Sequence, residues 1–97
     1  MAVRNIDMTG LTSKKFVTNL RRGSEYNATI QNLTGQSLTI TVTNQDIQSA
    51  SPTFDAPAAG ALVIANGAVG KLGEGYDGWL LTLGAAGAGT INIAEAG

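Results

Sequence analysis

The feature that most constrains the fold is a strict alternation of apolar and polar side chains in two neighbouring stretches. Apolar residues occupy every second position from Tyr26 to Ile30 and again from Leu38 to Val42, with threonine or amide side chains between them. Successive side chains of a strand point to opposite faces, so each stretch predicts a strand with one buried and one solvated face. The connection between them contains Gly35, which is typical of a hairpin, and we therefore predict an antiparallel hairpin here.

The rest of the chain repeats this pattern in short apolar runs separated by glycine- or proline-rich segments. Runs of strand length occupy residues 61–65, 79–83 and 90–94, and both prolines fall in residues 44–60, which predicts a loop there. Residues 67–78 contain five glycines, too many for a helix interior, where each costs about 1 kcal/mol. The 97 residues therefore predict one all-β domain, a small antiparallel β-sandwich or barrel.

Charge divides the chain into two unequal parts. Residues 1–22 carry five cations against one acid, for a net charge of +4, whereas residues 23–97 carry a net charge of −5. Residues 3–12 show no clean period, and the next stretch fits either a helix capped by Ser13 or a short strand over residues 16–20. We therefore predict a basic, partly extended N-terminal arm over residues 1–22 that need not pack on the β domain of residues 23–97. Such asymmetry is typical of an arm that meets an acidic partner. Its cations, the predicted partner contacts, are Arg4, Lys14, Lys15, Arg21 and Arg22.

Two missing residue types remove most catalytic chemistry. The chain has no cysteine, which excludes disulfides, a thiolate nucleophile and Cys-ligated metal sites, and no histidine, the commonest general base. The carboxylates, lysines and hydroxyls that remain form no recognisable catalytic spacing. We therefore expect a protein that is not an enzyme and uses no cofactor or metal.

Several local patterns have a structural interpretation as well as a functional one. Residues 73–78 read G-x-G-x-x-G, but a strand rather than a helix is predicted to follow, and Glu74 and Asp77 would repel a phosphate. The same two acids are too few for a calcium loop, so we predict a loop between strands. Asn27 and Asn32 match the N-glycosylation pattern, yet the first ten residues lack the apolar region of a secretory signal. We expect synthesis in a cytoplasm and polar turn or strand roles for both asparagines.

Two further features bear on surfaces. Trp79 and Tyr76 could stack a sugar ring if exposed, but a small domain usually places its single tryptophan in the core, which we predict. The alanine- and glycine-rich tracts at residues 56–60 and 84–89 fit flexible loops, or a close approach of backbones at a subunit interface.

Four segments resemble small virion proteins of tailed bacteriophages, in particular the capsid decoration (cement) proteins. They are Tyr26–Gly35, the threonine-alternating strand that ends at Thr43, Gly78–Thr82 and Gly89–Glu95. The resemblance implies an all-β structural protein, often a trimer, that binds the outside of the expanded head in many copies. It would stabilise contacts between major capsid protein subunits, and a terminal arm would reach to the shell.

The expected partners are thus the major capsid protein and further copies of the chain, without direct contact to nucleic acid or membrane. The expected location is the capsid exterior of a virion assembled in a bacterial host. A tail, fibre or head–tail joining component is the alternative within the same biology. A small carbohydrate-binding module that uses Trp79 and Tyr76 is the alternative from another class.

Overall fold

The described part of the chain forms eight short strands. A computed structural model describes residues 2–17, 27–43, 53–73, 76 and 78–96. Those residues contain strands and turns but no helix. The strands are β1 (Ala2–Asp7), β2 (Ser13–Val17), β3 (Asn27–Leu33), β4 (Leu38–Thr43), β5 (Leu62–Ile64), β6 (Val69–Leu72), β7 (Gly78–Leu83) and β8 (Thr90–Ala96).

The strands form two four-stranded antiparallel sheets, ordered β1-β8-β3-β6 and β2-β7-β4-β5. Four of the pairings are nested: β1 with β8, β2 with β7, β3 with β6, and β4 with β5. The first strand thus pairs with the last, the second with the second-last, and so on toward the middle of the chain. This is the pairing of one long hairpin that is folded into two layers. This is the connectivity of a jelly roll. The all-β prediction is confirmed and the sandwich alternative fits, whereas the barrel does not, because the two sheets share no strand pairing in the described part of the chain.

The core lies between the sheets and is built from alternate positions, as the period of two predicts. In β3 and β4 every second side chain is buried, including Ile30 and Ile40, while Thr29 and Thr41 between them are only half-buried. Burial of such side chains, at about 25 cal/mol per Å² of apolar surface, is the main stabilising term. The fully buried apolar side chains, all below 2% exposed, are Met8, Phe16, Ala28, Ile30, Leu38, Ile40, Trp79, Leu81, Ile91 and Ile93.

The predicted hairpin between β3 and β4 is wrong, although both strands exist. β3 pairs with β6 and β8, and β4 pairs with β5 and β7, so the connection crosses from one sheet to the other. Alternation identifies which face of a strand is buried but does not say which strand lies beside it. Since both edges of β3 already have partners, β4 has no free edge there to join.

A buried polar cluster holds this crossing, and we call it the Asn32 corner: Asn32, Thr34 and the backbone that they bind. The Asn32 amide donates to the carbonyl oxygens of Gln36, at 2.7 Å, and Ile64, at 2.8 Å. Its Oδ1 accepts from the backbone N–H of Thr34, at 3.1 Å, and from the Thr34 hydroxyl, at 2.7 Å. Both side chains are at most 1% exposed. Asn32 is therefore a structural residue, which agrees with the polar-turn interpretation of its glycosylation pattern.

The extended N-terminal arm is also not what the described residues show. β1 pairs with β8 from Ala2 opposite Glu95 to Asp7 opposite Thr90, and β2 pairs with β7 along its whole length. Residues 2–17 thus supply one edge strand to each sheet, instead of standing apart from the body. The predicted boundary between residues 22 and 23 lies outside the described residues.

The glycine-rich tract at residues 84–89 provides close approach within the chain. Gly10 donates its N–H to the carbonyl oxygen of Gly87 at 3.0 Å, and Met8 donates to Gly89 at 2.9 Å. A Cβ added at Gly87 would lie 2.6 Å from the Met8 carbonyl oxygen, and one at Gly89 would overlap the carbonyl oxygen of Leu33. These two glycines therefore let the tract pack against the β1–β2 connection and the end of β3.

Candidate functional site

Three of the predicted cations, Arg4, Lys14 and Lys15, lie on the edge strands β1 and β2 of the two sheets, on one side of the sandwich. We call this side the β1–β2 edge. Arg4 connects its two strands, because it lies on β1 and its Nη1 donates to the carbonyl oxygen of Val17 at 2.8 Å. The Arg4 guanidinium carbon also lies 4.1 Å from the centroid of the Phe16 ring. That distance is well within the range of a cation–π interaction.

The contact of Arg4 continues into the core. The Phe16 ring lies 4.8 Å from the ring of Trp79, at an interplanar angle of 36°, and both aromatic side chains are at most 1% exposed. Arg4 is half-buried, and its position alternates with the exposed Val3 and Asn5, so it occupies the core-facing side of β1. It therefore closes the gap between the two sheets, and its predicted role as a free partner contact does not fit this environment.

Lys14 and Lys15 differ from Arg4 because both are exposed. They lie on β2 opposite Leu81 and Leu80 of β7, and the period of two directs them to opposite sides of the strand. Lys15 shares the outer face of its sheet with Leu80, whereas Lys14 lies on the side of the β1–β2 edge. The structure thus brings three of the five predicted cations together, of which two project into solvent. Arg21 and Arg22 lie outside the described residues.

An acidic residue accompanies Lys14 at this edge. Hydrogen bonds from the side chain and the backbone N–H of Thr9 hold the pKa of Asp7 below its ordinary value of 3.8. The backbone bond joins Thr9 N to Asp7 Oδ1 at 3.0 Å. The positive charge of Lys14 adds to this lowering of the pKa. Asp7 is therefore ionised at neutral pH and balances part of the charge of Lys14, while Lys15 points away from it.

Strand β2 also lies at the edge of its sheet, because within the described ranges β7 is its only strand partner. Lysines on an edge strand are a common protection against edge-to-edge aggregation, and an open edge is also a place where a partner segment can add. The chemistry available at the β1–β2 edge is therefore charge attraction to an acidic surface, combined with backbone hydrogen bonding.

The two aromatic candidates do not form a sugar-binding platform. Trp79 is fully buried, as predicted for a core tryptophan, and Tyr76 is 8% exposed. The Tyr76 hydroxyl accepts a hydrogen bond from the N–H of Ala58 at 3.0 Å, which ties the loop before β5 to the body. Their positions leave neither ring face free for stacking on a ligand.

The glycine motif at residues 73–78 leads into a strand, since Gly78 is the first residue of β7. The dinucleotide interpretation requires a helix at that point, so the loop interpretation is supported; Glu74 and Asp77 lie outside the described residues. Across the described ranges, no three histidine, cysteine or acidic residues cluster as metal ligands would. The same ranges contain no helix that is long and apolar enough to span a membrane.

Sequence reasoning missed the buried acid of this region. Glu95 of β8 is 0% exposed, and it follows Ile91 and Ile93 at the same period of two, so the alternation places it on the inner face. In the β1–β8 pairing Arg4 lies opposite Ile93, and Glu95 is the diagonal neighbour of Arg4 on that face. Diagonal neighbours are within reach of long side chains. Extending the alternation of β8 by one step would have identified Glu95 as an inward-facing residue.

Comparison with protein-family models, with curated proteins and with solved structures finds no significant match to this chain. The resemblance to decoration proteins therefore depends on its four segments alone.

Proposed function

We propose that the protein is a structural, non-enzymatic virion component of a tailed bacteriophage: a decoration protein that binds the major capsid protein on the outside of the head. It would need no cofactor and would contact neither nucleic acid nor membrane. The binding surface is the β1–β2 edge, with Lys14 and Lys15 as the contacts. Arg21 and Arg22, the other two predicted contacts, follow β2 in the chain and lie outside the described residues.

The fold supports this proposal through the position of the resembling segments. They correspond to β3, β4, β7 and β8, the four inner strands of the two sheets. A jelly roll of this kind is a common architecture of viral capsid proteins, although it also serves lectins and enzymes, so the fold by itself does not assign a function. The feature that is specific to this chain is the β1–β2 edge, which lies beside the four inner strands of the jelly roll.

The observation that carries the proposal is the pair of exposed lysines on an open edge strand. The part of the chain beyond residue 22 has a net charge of −5, so the basic residues are concentrated at this edge and on the segment that follows it. An acidic patch on a capsid subunit would attract them at low salt, and screening would weaken that attraction above about 0.1 M salt. Many weak copies on a symmetric shell would together give firm attachment.

Co-sedimentation with expanded, undecorated heads of the encoding phage tests the proposal. We expect the wild-type protein to sediment with the heads at low salt and to be released as the salt concentration rises. The double variant Lys14→Gln/Lys15→Gln should lose binding by tenfold or more, about 1.4 kcal/mol.

A matched control changes net charge by the same amount elsewhere. Ala59→Glu/Ala61→Glu alters two exposed positions next to β5, at the opposite edge of the sheet from β2, and should bind heads like wild type. Equal losses of head binding in both double variants would show that the effect depends on net charge and not on the position of the lysines. Absence of wild-type binding at low salt would contradict the proposal, and labelling of the tail instead of the head would favour the joining or tail component.

A further inference from the structure

The outer face of the β1-β8-β3-β6 sheet carries an unusual share of exposed apolar surface. We call it the β1–β6 face. Val3, Leu33 and Val69 are 64%, 43% and 56% exposed, and all three occupy outward positions of this sheet. Between them lies a shallow depression of about 240 Å³, lined mainly by apolar atoms and floored by small side chains such as Ala94. Gln31 and Asn92 also line the depression, and the Asn92 amide donates to the Gln31 side-chain oxygen at 3.1 Å, so mainly apolar atoms remain to face a second surface.

The strand register fixes the layout of this face. One row across the sheet contains Val3, Ala94, Thr29 and Lys71; the next contains Asn5, Asn92, Gln31 and Val69; the third contains Asp7, Thr90 and Leu33. Asp7 and Lys71 therefore stand at opposite corners, and they are the charged residues of these three rows. Val3 occupies a third corner, and Leu33 and Val69 flank the fourth.

The dimensions make this layout self-complementary. Four strands spaced by about 4.8 Å span about 14 Å, and the four residue steps from Val3 to Asp7 also span about 14 Å. In a square face the two diagonals are perpendicular. A two-fold axis along the diagonal from Val3 would thus place Asp7 of one copy against Lys71 of the other, twice, and Leu33 against Val69.

We propose that two copies of the chain associate through the β1–β6 face, with Asp7 and Lys71 forming reciprocal ion pairs on either side of the shallow depression. Such an isologous contact needs the same patch on both copies, as the layout provides. The strands of the facing sheets cross at near right angles, one of the two common modes of sheet packing. The face measures about 14 Å by about 14 Å, or about 200 Å² per copy, well below the roughly 800 Å² of a standard interface, so the dimer is weak and depends on concentration.

The lysines proposed to bind the capsid lie on β2, in the other sheet, so dimer formation can be measured separately from capsid binding, although Asp7 lies close to both surfaces. Sedimentation velocity of the full chain, from about 10 μM to about 1 mM, measures it directly. We expect a monomer–dimer equilibrium for the wild type. Asp7→Lys and Lys71→Asp should each weaken the dimer by about tenfold or more, because each variant pairs like charges at both corners.

The decisive sample is an equimolar mixture of these two variants. In a mixed pair the introduced lysine of one copy would face the introduced aspartate of the other, and the unchanged Lys71 would face the unchanged Asp7. A heterodimer should therefore form where neither variant associates alone. Ala94→Arg, at the centre of the face, should remove association without altering the charged corners. Lys15→Asp, on the outer face of the other sheet, is the control and should leave the dimer unchanged.

Thermal unfolding of every variant shows whether it is folded, which matters for Asp7 because it also binds Thr9. A wild type that stays monomeric over the whole concentration range would overturn the proposal. So would an oligomer that is indifferent to Ala94→Arg, or a mixture of charge variants that does not recover association.

Discussion

Two different sets of polar contacts join the two sheets, one at the Asn32 corner and one at the β1–β2 edge. At the Asn32 corner, fully buried neutral groups donate to and accept from each other and the backbone, and one amide holds two carbonyl oxygens. At the β1–β2 edge one half-buried arginine reaches a single carbonyl oxygen and an aromatic ring. The Asn32 corner is enclosed and serves the fold alone. The β1–β2 edge leaves the charged side chains of Lys14 and Lys15 in solvent, where a partner can bind them.

The largest expected effect comes from breaking the Asn32 corner. Asn32→Ala leaves the carbonyl oxygen of Ile64 without its donor and the backbone N–H of Thr34 without its acceptor, and each such buried group costs about 1–3 kcal/mol. We expect the free energy of unfolding to fall by about 3 kcal/mol, measured by urea denaturation. Asn92→Ala is the control: Asn92 is half-buried, it donates to the Gln31 side chain at 3.1 Å, and its loss should cost below about 1 kcal/mol. Equal losses would contradict the distinction.

Crowding near the same corner tests how closely its neighbours pack. Gly89→Ala places a methyl group against the carbonyl oxygen of Leu33, on backbone that cannot rotate away. Overpacking of this kind should destabilise the protein by about 2 kcal/mol in the same denaturation assay. Gly84→Ala has open space around its added Cβ, so it should change stability by less than about 0.5 kcal/mol. An unaffected Gly89→Ala would show that the tract is loosely packed.

Arg4 separates the structural cation of the β1–β2 edge from the exposed ones. Arg4→Met keeps the apolar stem but removes the hydrogen bond to Val17 and the contact with Phe16, for an expected loss of about 1–2 kcal/mol. Lys14→Gln/Lys15→Gln should stay within about 0.5 kcal/mol of wild type, because both side chains are exposed. Thermal and urea unfolding measure both variants. A double lysine variant as unstable as Arg4→Met would erase the difference between the two kinds of cation.

The smallest effect concerns Asp7. Its pKa is lower in the folded chain than the ordinary 3.8, so the ionised carboxylate stabilises the fold above that pH. This contribution is lost as the pH falls through the folded pKa. We expect the melting temperature of the wild type to drop more between pH 6 and pH 3 than that of Asp7→Asn. Parallel curves would contradict a role for the Thr9 hydrogen bonds.

The sequence predicted which face of a strand is buried much better than it predicted which strands pair with each other. Alternation identified the buried sides of β3 and β4, and the usual burial of a single tryptophan in a small domain placed Trp79 in the core, because these depend on local period and residue type. Alternation could not show that β3 and β4 belong to different sheets, since that depends on the nested pairing of strands far apart in the chain. The signal for this crossing was the polar Asn32 at an inward position of β3.

The first strand, β1, was missed for a related physical reason, whereas a strand that overlaps β2 was one of two alternatives for residues 13–20. The inward positions of β1 include Arg4, so the apolar period that normally identifies a strand is interrupted there. Arginine has an apolar stem that packs on aromatic rings, and here it takes the place of a core residue over Phe16. Counting it only as charge produced the prediction of a free arm, and with it a partner role for all five cations.

Hydrogen exchange of the intact chain tests most directly whether the first residues belong to the sandwich. Peptides covering residues 2–7 and 13–17 report on β1 and β2. Because both are edge strands paired along their length, we expect the alternate amides that face β8 and β7 to exchange at least about a hundredfold more slowly than in an unfolded chain. Exchange of both segments at the rate of an unstructured peptide would contradict the account and restore a free N-terminal arm.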